Sequence, residues 1–159
     1  AKMYPDIDKQ FLFVTGGYNF RNTELNAVLG LSQLKKLNKS IYTRNKNFKL
    51  FCKLIGNNSL FYPIQYKETA SNFCFPFICR TKEIKQRLTR LLEENRIEYR
   101  PIVSGNLLRH PFLKGYEITT AKRTLLNVDL IHDYGLYIGN SQFVDVYKMD
   151  LLKEVLSSL

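Results

Sequence analysis

No apolar run in the 159 residues approaches the roughly 20 that a bilayer-spanning helix requires. The opening stretch, AKMYPDIDKQ, has no apolar core behind a basic start, so a signal peptide is not expected and the default location is the cytoplasm. Cysteine is sparse. Cys52, Cys74 and Cys79 are an odd number and sit among apolar neighbours, which suits reduced core residues rather than a disulfide framework. Histidine is sparser still: His110 and His132 lie far apart in sequence, without a local carboxylate or cysteine cluster, and this argues against metal catalysis. The chain also lacks a phosphate loop, a dinucleotide-binding glycine fingerprint, a paired CxxC, HExxH and GxSxG. Phosphate-loop, dinucleotide, zinc and serine-hydrolase chemistry therefore have none of their usual support.

What is present is a globular composition, 45% hydrophobic with 24% charged, long enough for one domain or for a domain plus a piece of its neighbour. Acidic residues are few. The formal charge of +10 invites a polyanionic partner such as nucleic acid. The bases are nevertheless scattered (Lys35, Lys36, Lys46, Lys49, Arg87, Arg90, Lys122 and Arg123 among them), with no long basic block and no stacked-aromatic motif of the RNA-binding type. A diphosphate-bearing small molecule explains local arginines equally well. A non-catalytic basic module that binds nucleic acid stays as the rival from another class, separable by a salt titration of DNA binding.

Along the chain, Phe11 to Val14 reads as strand-like, followed by Gly16-Gly17 and a polar turn in which Asn22 or Thr23 caps a helix. From Glu24, apolar residues recur mostly at three- and four-residue steps through Leu25, Val28, Leu29, Leu34, Leu37, Ile41, Phe48, Phe51, Leu54 and Ile55. One long helix is expected, ending at Gly56-Asn57-Asn58, with a kink near Asn38 to Ser40; some 30 residues would make a rod on the order of 45 Å. The aromatic-rich segment 72–79 favours a strand, and Pro76 places it at an edge or bulge. Thr81 caps an amphipathic helix with Ile84, Leu88, Leu91 and Leu92 on its buried stripe. Residues 97–101 read as a strand, SGNLLRHPFLKG as a loop with short helices, Thr120 to Leu130 as a helix capped by Thr119 or Thr120, Gly135 to Gly139 as a strand, and the last 16 residues as a helix. The fold class is α+β: a small antiparallel or mixed sheet with helices on one face.

Two stretches carry a resemblance. Residues 17–37, GYNFRNTELNAVLGLSQLKKL, resemble the GYN(x)R signature and following helix of the DegT/DnrJ/EryC1/StrS sugar aminotransferase family. The segment Arg100-Pro101-Ile102-Val103-Ser104-Gly105-Asn106, together with Gly139-Asn140 and Gln142, resembles the branch that contains sugar-nucleotide 3-dehydratases. The resemblance implies fold type I of the pyridoxal-phosphate (PLP) enzymes. Residues 1–22 would end the large cofactor domain, 23–56 would be the connecting helix and 57–159 the C-terminal small domain. It implies no catalytic residue in this chain, because the family's cofactor-bearing lysine, or the histidine that replaces it in the 3-dehydratases, lies upstream of the GYN motif. A fragment is therefore expected.

The same resemblance places Asn19 and Arg21 on the phosphate of PLP or pyridoxamine phosphate in the neighbouring subunit of a homodimer. An amide and a forked guanidinium suit a phosphate. The alternative is that Asn19 forms the turn and Arg21 pairs with Glu24. For the nucleotide-sugar substrate the resemblance implies a lining loop: Arg100 and Arg109 on a diphosphate or on sugar hydroxyls, Ser104 and Asn106 on the sugar, His110 in the pocket wall, and Asn140 and Gln142 as further contacts. Ordinary loop and turn roles are the alternative throughout. The implied activity is C3 dehydration of a nucleotide-linked 4-keto-6-deoxy sugar in deoxysugar and lipopolysaccharide biosynthesis, with sugar amino transfer as the alternative within the family.

Overall fold

The computed structural model describes residues 4–17, 23–67, 69–116 and 125–159. Asn19, Arg21, Asn22, Thr119 and Thr120 lie outside the described residues, so the expectations placed on them are not addressed by the fold.

Thr23 accepts the Asn26 N–H at 3.4 Å and starts α1 (Glu24–Leu34). The single rod expected from the periodicity is interrupted. Lys35 and Lys36 form a turn, with Lys36 at φ −102°, ψ −5° and its N–H on the Gln33 carbonyl at 2.9 Å, and α2 (Leu37–Gly56) begins afresh. The break thus falls at Lys35–Lys36, ahead of the expected Asn38 to Ser40, and the Ser40 hydroxyl bonding the Lys36 carbonyl at 3.0 Å reinforces it. Only α2 joins the core. Phe48, Phe51 and Ile55 are buried, whereas Leu25, Val28, Leu29, Leu31 and Leu34 of α1 are between 61% and 77% exposed.

Three strands follow the expected positions: β1 (Cys74–Ile78), β2 (Tyr99–Pro101) and β3 (Gly135–Gly139), antiparallel in the order β1-β3-β2. Pro76 lies on the edge strand β1 opposite Tyr137, where a missing N–H costs no ladder bond on the outer side. The register sets Phe75 against Ile138 and Phe77 against Leu136, so one face of the sheet is apolar. That face is covered by α2, by α3 (Lys82–Glu94) through Leu88 and Leu92, and by α5 (Val146–Ser157) through Met149, Leu152 and Val155. Phe51 sits at the centre, 4.9 Å from the Phe75 ring and 5.1 Å edge-on from Phe77. Each such buried side chain contributes roughly 1.5–3 kcal/mol of transfer free energy.

The three cysteines are free, as expected, and burial pushes the Cys79 thiol up to about 11. Phe11 to Val14 is not a strand: a short 3-10 turn (Lys9–Phe11) precedes an extended stretch with no strand beside it among the described residues. Of the helix expected over 120–130, residues 120–124 lie outside the described ones; α4 is described over Leu126–Tyr134, ends four residues beyond the expected end and runs straight into β3. Among the described residues no helix is long and apolar enough to cross a membrane.

Candidate functional site

The loop leaving β2 turns sharply because Gly105 donates its N–H to the Ile102 carbonyl at 3.1 Å. Ser104 (φ 65°) and Gly105 (φ 49°) both adopt left-handed geometry there. Gly105 is required on a second count. Its Cα rests against the imidazole of His132 on α4, and an added Cβ would collide with Nδ1 and Cγ of that ring.

The residues after the turn are committed to holding the loop. Asn106 is buried; its N–H donates to His132 Nδ1 at 3.0 Å, its Nδ2 donates to Asp129 at 2.8 Å, and its Oδ1 accepts from Leu108 N–H at 3.0 Å. Arg109 forks onto Asp133 at 2.7 and 3.2 Å and reaches Asp129 at 2.8 Å. The Asn106 amide first, and then the Arg109 guanidinium, hold the Asp129 carboxyl below its ordinary range. His110 is 1% exposed and makes its contacts at 2.8 Å to the Ser104 carbonyl through Nε2 and at 3.4 Å from Phe13 N–H through Nδ1. A carbonyl only accepts and an N–H only donates, so these partners assign a neutral ring with its proton on Nε2.

The same loop forms one wall of a cleft of about 480 Å³, opposite the arm that runs from Pro5 to Phe11. Ser104, Gly105 and His110 line it from the loop, Lys85 from α3, and His132 and Asp133 from α4. Lys85 donates to the Asp133 carbonyl at 2.8 Å, and burial lowers its ammonium pKa. The Ser104 hydroxyl lines this cleft without a protein hydrogen-bond partner among the described residues.

The remaining predicted residues do not converge on this cleft. Arg100 projects from the opposite sheet face, ion-paired with Glu98 at 2.9 Å beside a second, shallow groove shared with Phe73 and Tyr137. Asn140 is fully buried and donates to the Arg44 and Asn72 carbonyls at 3.1 and 2.8 Å. Gln142 meets Arg44 at 3.5 Å, so this pair ties α2 to the turn after β3. Sequence reasoning passed over Asp129, His132 and Asp133, and treated the two histidines as unrelated. The spacing of those three, at i, i+3 and i+4 on one helix, was the available signal.

Residues 3–134 match the DegT/DnrJ/EryC1/StrS aminotransferase family. The chain is 33% identical over 158 residues to the GDP-4-keto-6-deoxy-D-mannose 3-dehydratase of Escherichia coli O55:H7, covering 98% of this chain and 41% of that protein. It superposes on the Escherichia coli GDP-4-keto-6-deoxy-D-mannose-3-dehydratase with bound hydrated PLP at a TM-score of 0.76 and 32% identity, over 94% of this chain and 39% of that one. A variant GDP-4-keto-6-deoxymannose-3-dehydratase with bound GDP-perosamine gives a TM-score of 0.75 at 34% identity, over 93% and 39%. The chain therefore spans about two-fifths of the length of the relatives it matches.

Proposed function

Because the chain belongs to the DegT/DnrJ/EryC1/StrS aminotransferase family, we propose that it acts as the C-terminal part of a PLP- or pyridoxamine-phosphate-dependent enzyme that removes the C3 hydroxyl of a nucleotide-linked 4-keto-6-deoxy sugar. The observation that carries this reading is the match, over 98% of the chain, to a relative named as a 3-dehydratase of such a sugar.

The donor set suits the cofactor's phosphate: Asn19 offers an amide N–H and Arg21 a planar fork. When bound, the cofactor supplies an electron sink next to the sugar carbons. The chain's own residues bind and orient. Ser104 is the loop group available to a sugar hydroxyl, and Gly105 lets the backbone approach closely. Asn106, Arg109 and His110 hold that loop in shape, and Arg109 would meet a diphosphate only by sharing its contacts with Asp129 and Asp133. A homodimer with the phosphate site shared across subunits, and a cytoplasmic location, complete the proposal.

A direct test replaces the matching segment of the Escherichia coli O55:H7 relative by residues 1–159 and follows GDP-4-keto-6-deoxymannose by mass spectrometry. A 3-deoxy product that disappears with Asn19→Ala or Arg21→Ala supports the reading. A folded chimera that binds PLP and leaves the sugar intact sinks it. The residue upstream of the GYN motif in the gene separates the two family chemistries, histidine for dehydration and lysine for amino transfer.

A further inference from the structure

We propose that His132 is a positioning residue that sets both walls of the ligand cleft at once, through one ring nitrogen for each wall. The assignment of that cleft to substrate rests on the function proposed above.

The two nitrogens serve segments far apart in the chain. Nδ1 accepts the Asn106 N–H at 3.0 Å and so fixes the Ser104–Asn106 turn. Nε2 donates to the Asp6 carbonyl at 3.1 Å and so fixes the arm that leads into the GYN motif. The two partners allow one neutral tautomer, with the proton on Nε2. The Nδ1–Cγ edge of the ring is equally constrained, because Gly105 packs against it with no room for a side chain. His110 makes a parallel connection from the loop to the arm, through the Ser104 carbonyl and Phe13 N–H. Both rings join a backbone donor in one segment to a backbone acceptor in another, which a packing histidine has no need to do. Their ring nitrogens are engaged in these bonds. The geometry couples the loop offering Ser104 to the arm preceding Asn19 and Arg21.

Asparagine and glutamine split the two contacts. In His132→Asn the side-chain oxygen occupies the place of Nδ1 and keeps the Asn106 bond, but the residue is too short to reach Asp6. In His132→Gln the amide nitrogen reaches Asp6 and no acceptor remains for Asn106. Amide hydrogen exchange of the 159-residue chain reads the outcome. His132→Asn leaves the Asn106 amide protected and speeds the Ile7 and Phe11 amides about fivefold, while His132→Gln does the reverse, as expected for loss of one net hydrogen bond. Equal effects of both variants at both places overturn the proposal, as does a ring nitrogen spectrum with the proton on Nδ1.

In the chimeric enzyme, His132→Gln raises KM for the nucleotide sugar with kcat retained, and His132→Asn raises the PLP concentration needed for half-saturation. Parallel losses in both parameters for both variants overturn the coupling. An inert parent chimera counts against the proposed function alone, since the exchange pattern still decides the tether.

Discussion

Arg109 and Asp133 are joined by two hydrogen bonds, 2.7 and 3.2 Å long, that lock the loop after β2 to the last turn of α4. The guanidinium also reaches Asp129 at 2.8 Å, so one cation is shared by two carboxylates. Arg109→Lys removes the fork while keeping the charge. A loss of about 1 kcal/mol, read from urea denaturation, is expected, because lysine replaces a planar bidentate contact with a mobile single one. No loss would mean that the pair is an exposed contact without weight.

Acid should loosen the same loop. The Asn106 amide and the Arg109 guanidinium depress the Asp129 carboxyl below its ordinary 3.8. A depressed carboxyl stabilises the fold fully above its unfolded pKa, and that contribution fades as pH falls through the lowered value. Amide exchange at Asn106 and Leu108 is therefore expected to accelerate below about pH 4, an effect that Asp129→Asn abolishes.

Gly105→Ala is expected to cost about 1–3 kcal/mol by thermal or urea unfolding, since alanine resists φ 49° and its methyl displaces the His132 ring. A neutral result would show that the turn repacks without the imidazole.

Asn140 and Gln142 should separate cleanly. Asn140→Ala removes the buried amide that donates to the Arg44 and Asn72 carbonyls and should lower stability by ~1–3 kcal/mol. Gln142→Ala breaks a 3.5 Å contact and should stay within about 0.5 kcal/mol in the same titration.

Cys79 is fully buried within the core, and its raised thiol pKa of about 11, against an ordinary 9.0, makes it unreactive when folded. A thiol reagent at pH 8 should modify Cys52 and Cys74 ahead of Cys79, with Cys79 labelled only on unfolding. The protonated thiol contributes below the unfolded value, so on the order of 2–3 kcal/mol is lost as pH rises from 9 to 11. Cys79→Ala should flatten that part of the stability profile.

Much of the fold is written locally. Thr23, Thr81 and Asp145 each accept an N–H three residues on and start their helices. The aromatic alternation of β1 and the apolar spacing of α3 are equally local, as is the confinement of Pro76 to an edge. The family was legible too, because the GYN motif and its following helix are contiguous in sequence. Periodicity could not show where α1 ends, since the break at Lys35–Lys36 costs nothing in hydrophobic spacing and depends on backbone bonds to Gln33 and from Ser40. Nor could spacing show which predicted site residues share a cleft. Arg100 and Ser104 are four positions apart, yet strand alternation turns Arg100 to the face away from the cleft that Ser104 lines.

The sequence alone determined the enzyme family, the α+β class and the positions of β1, β2 and β3, because those rest on contiguous motifs and short-range patterns. Only the tertiary structure decided that His132, 126 residues from Asp6 and 26 from Asn106, lies between them. Contacts across such separations arise from how α4 packs against the loop and the arm, and no local pattern of residues encodes them.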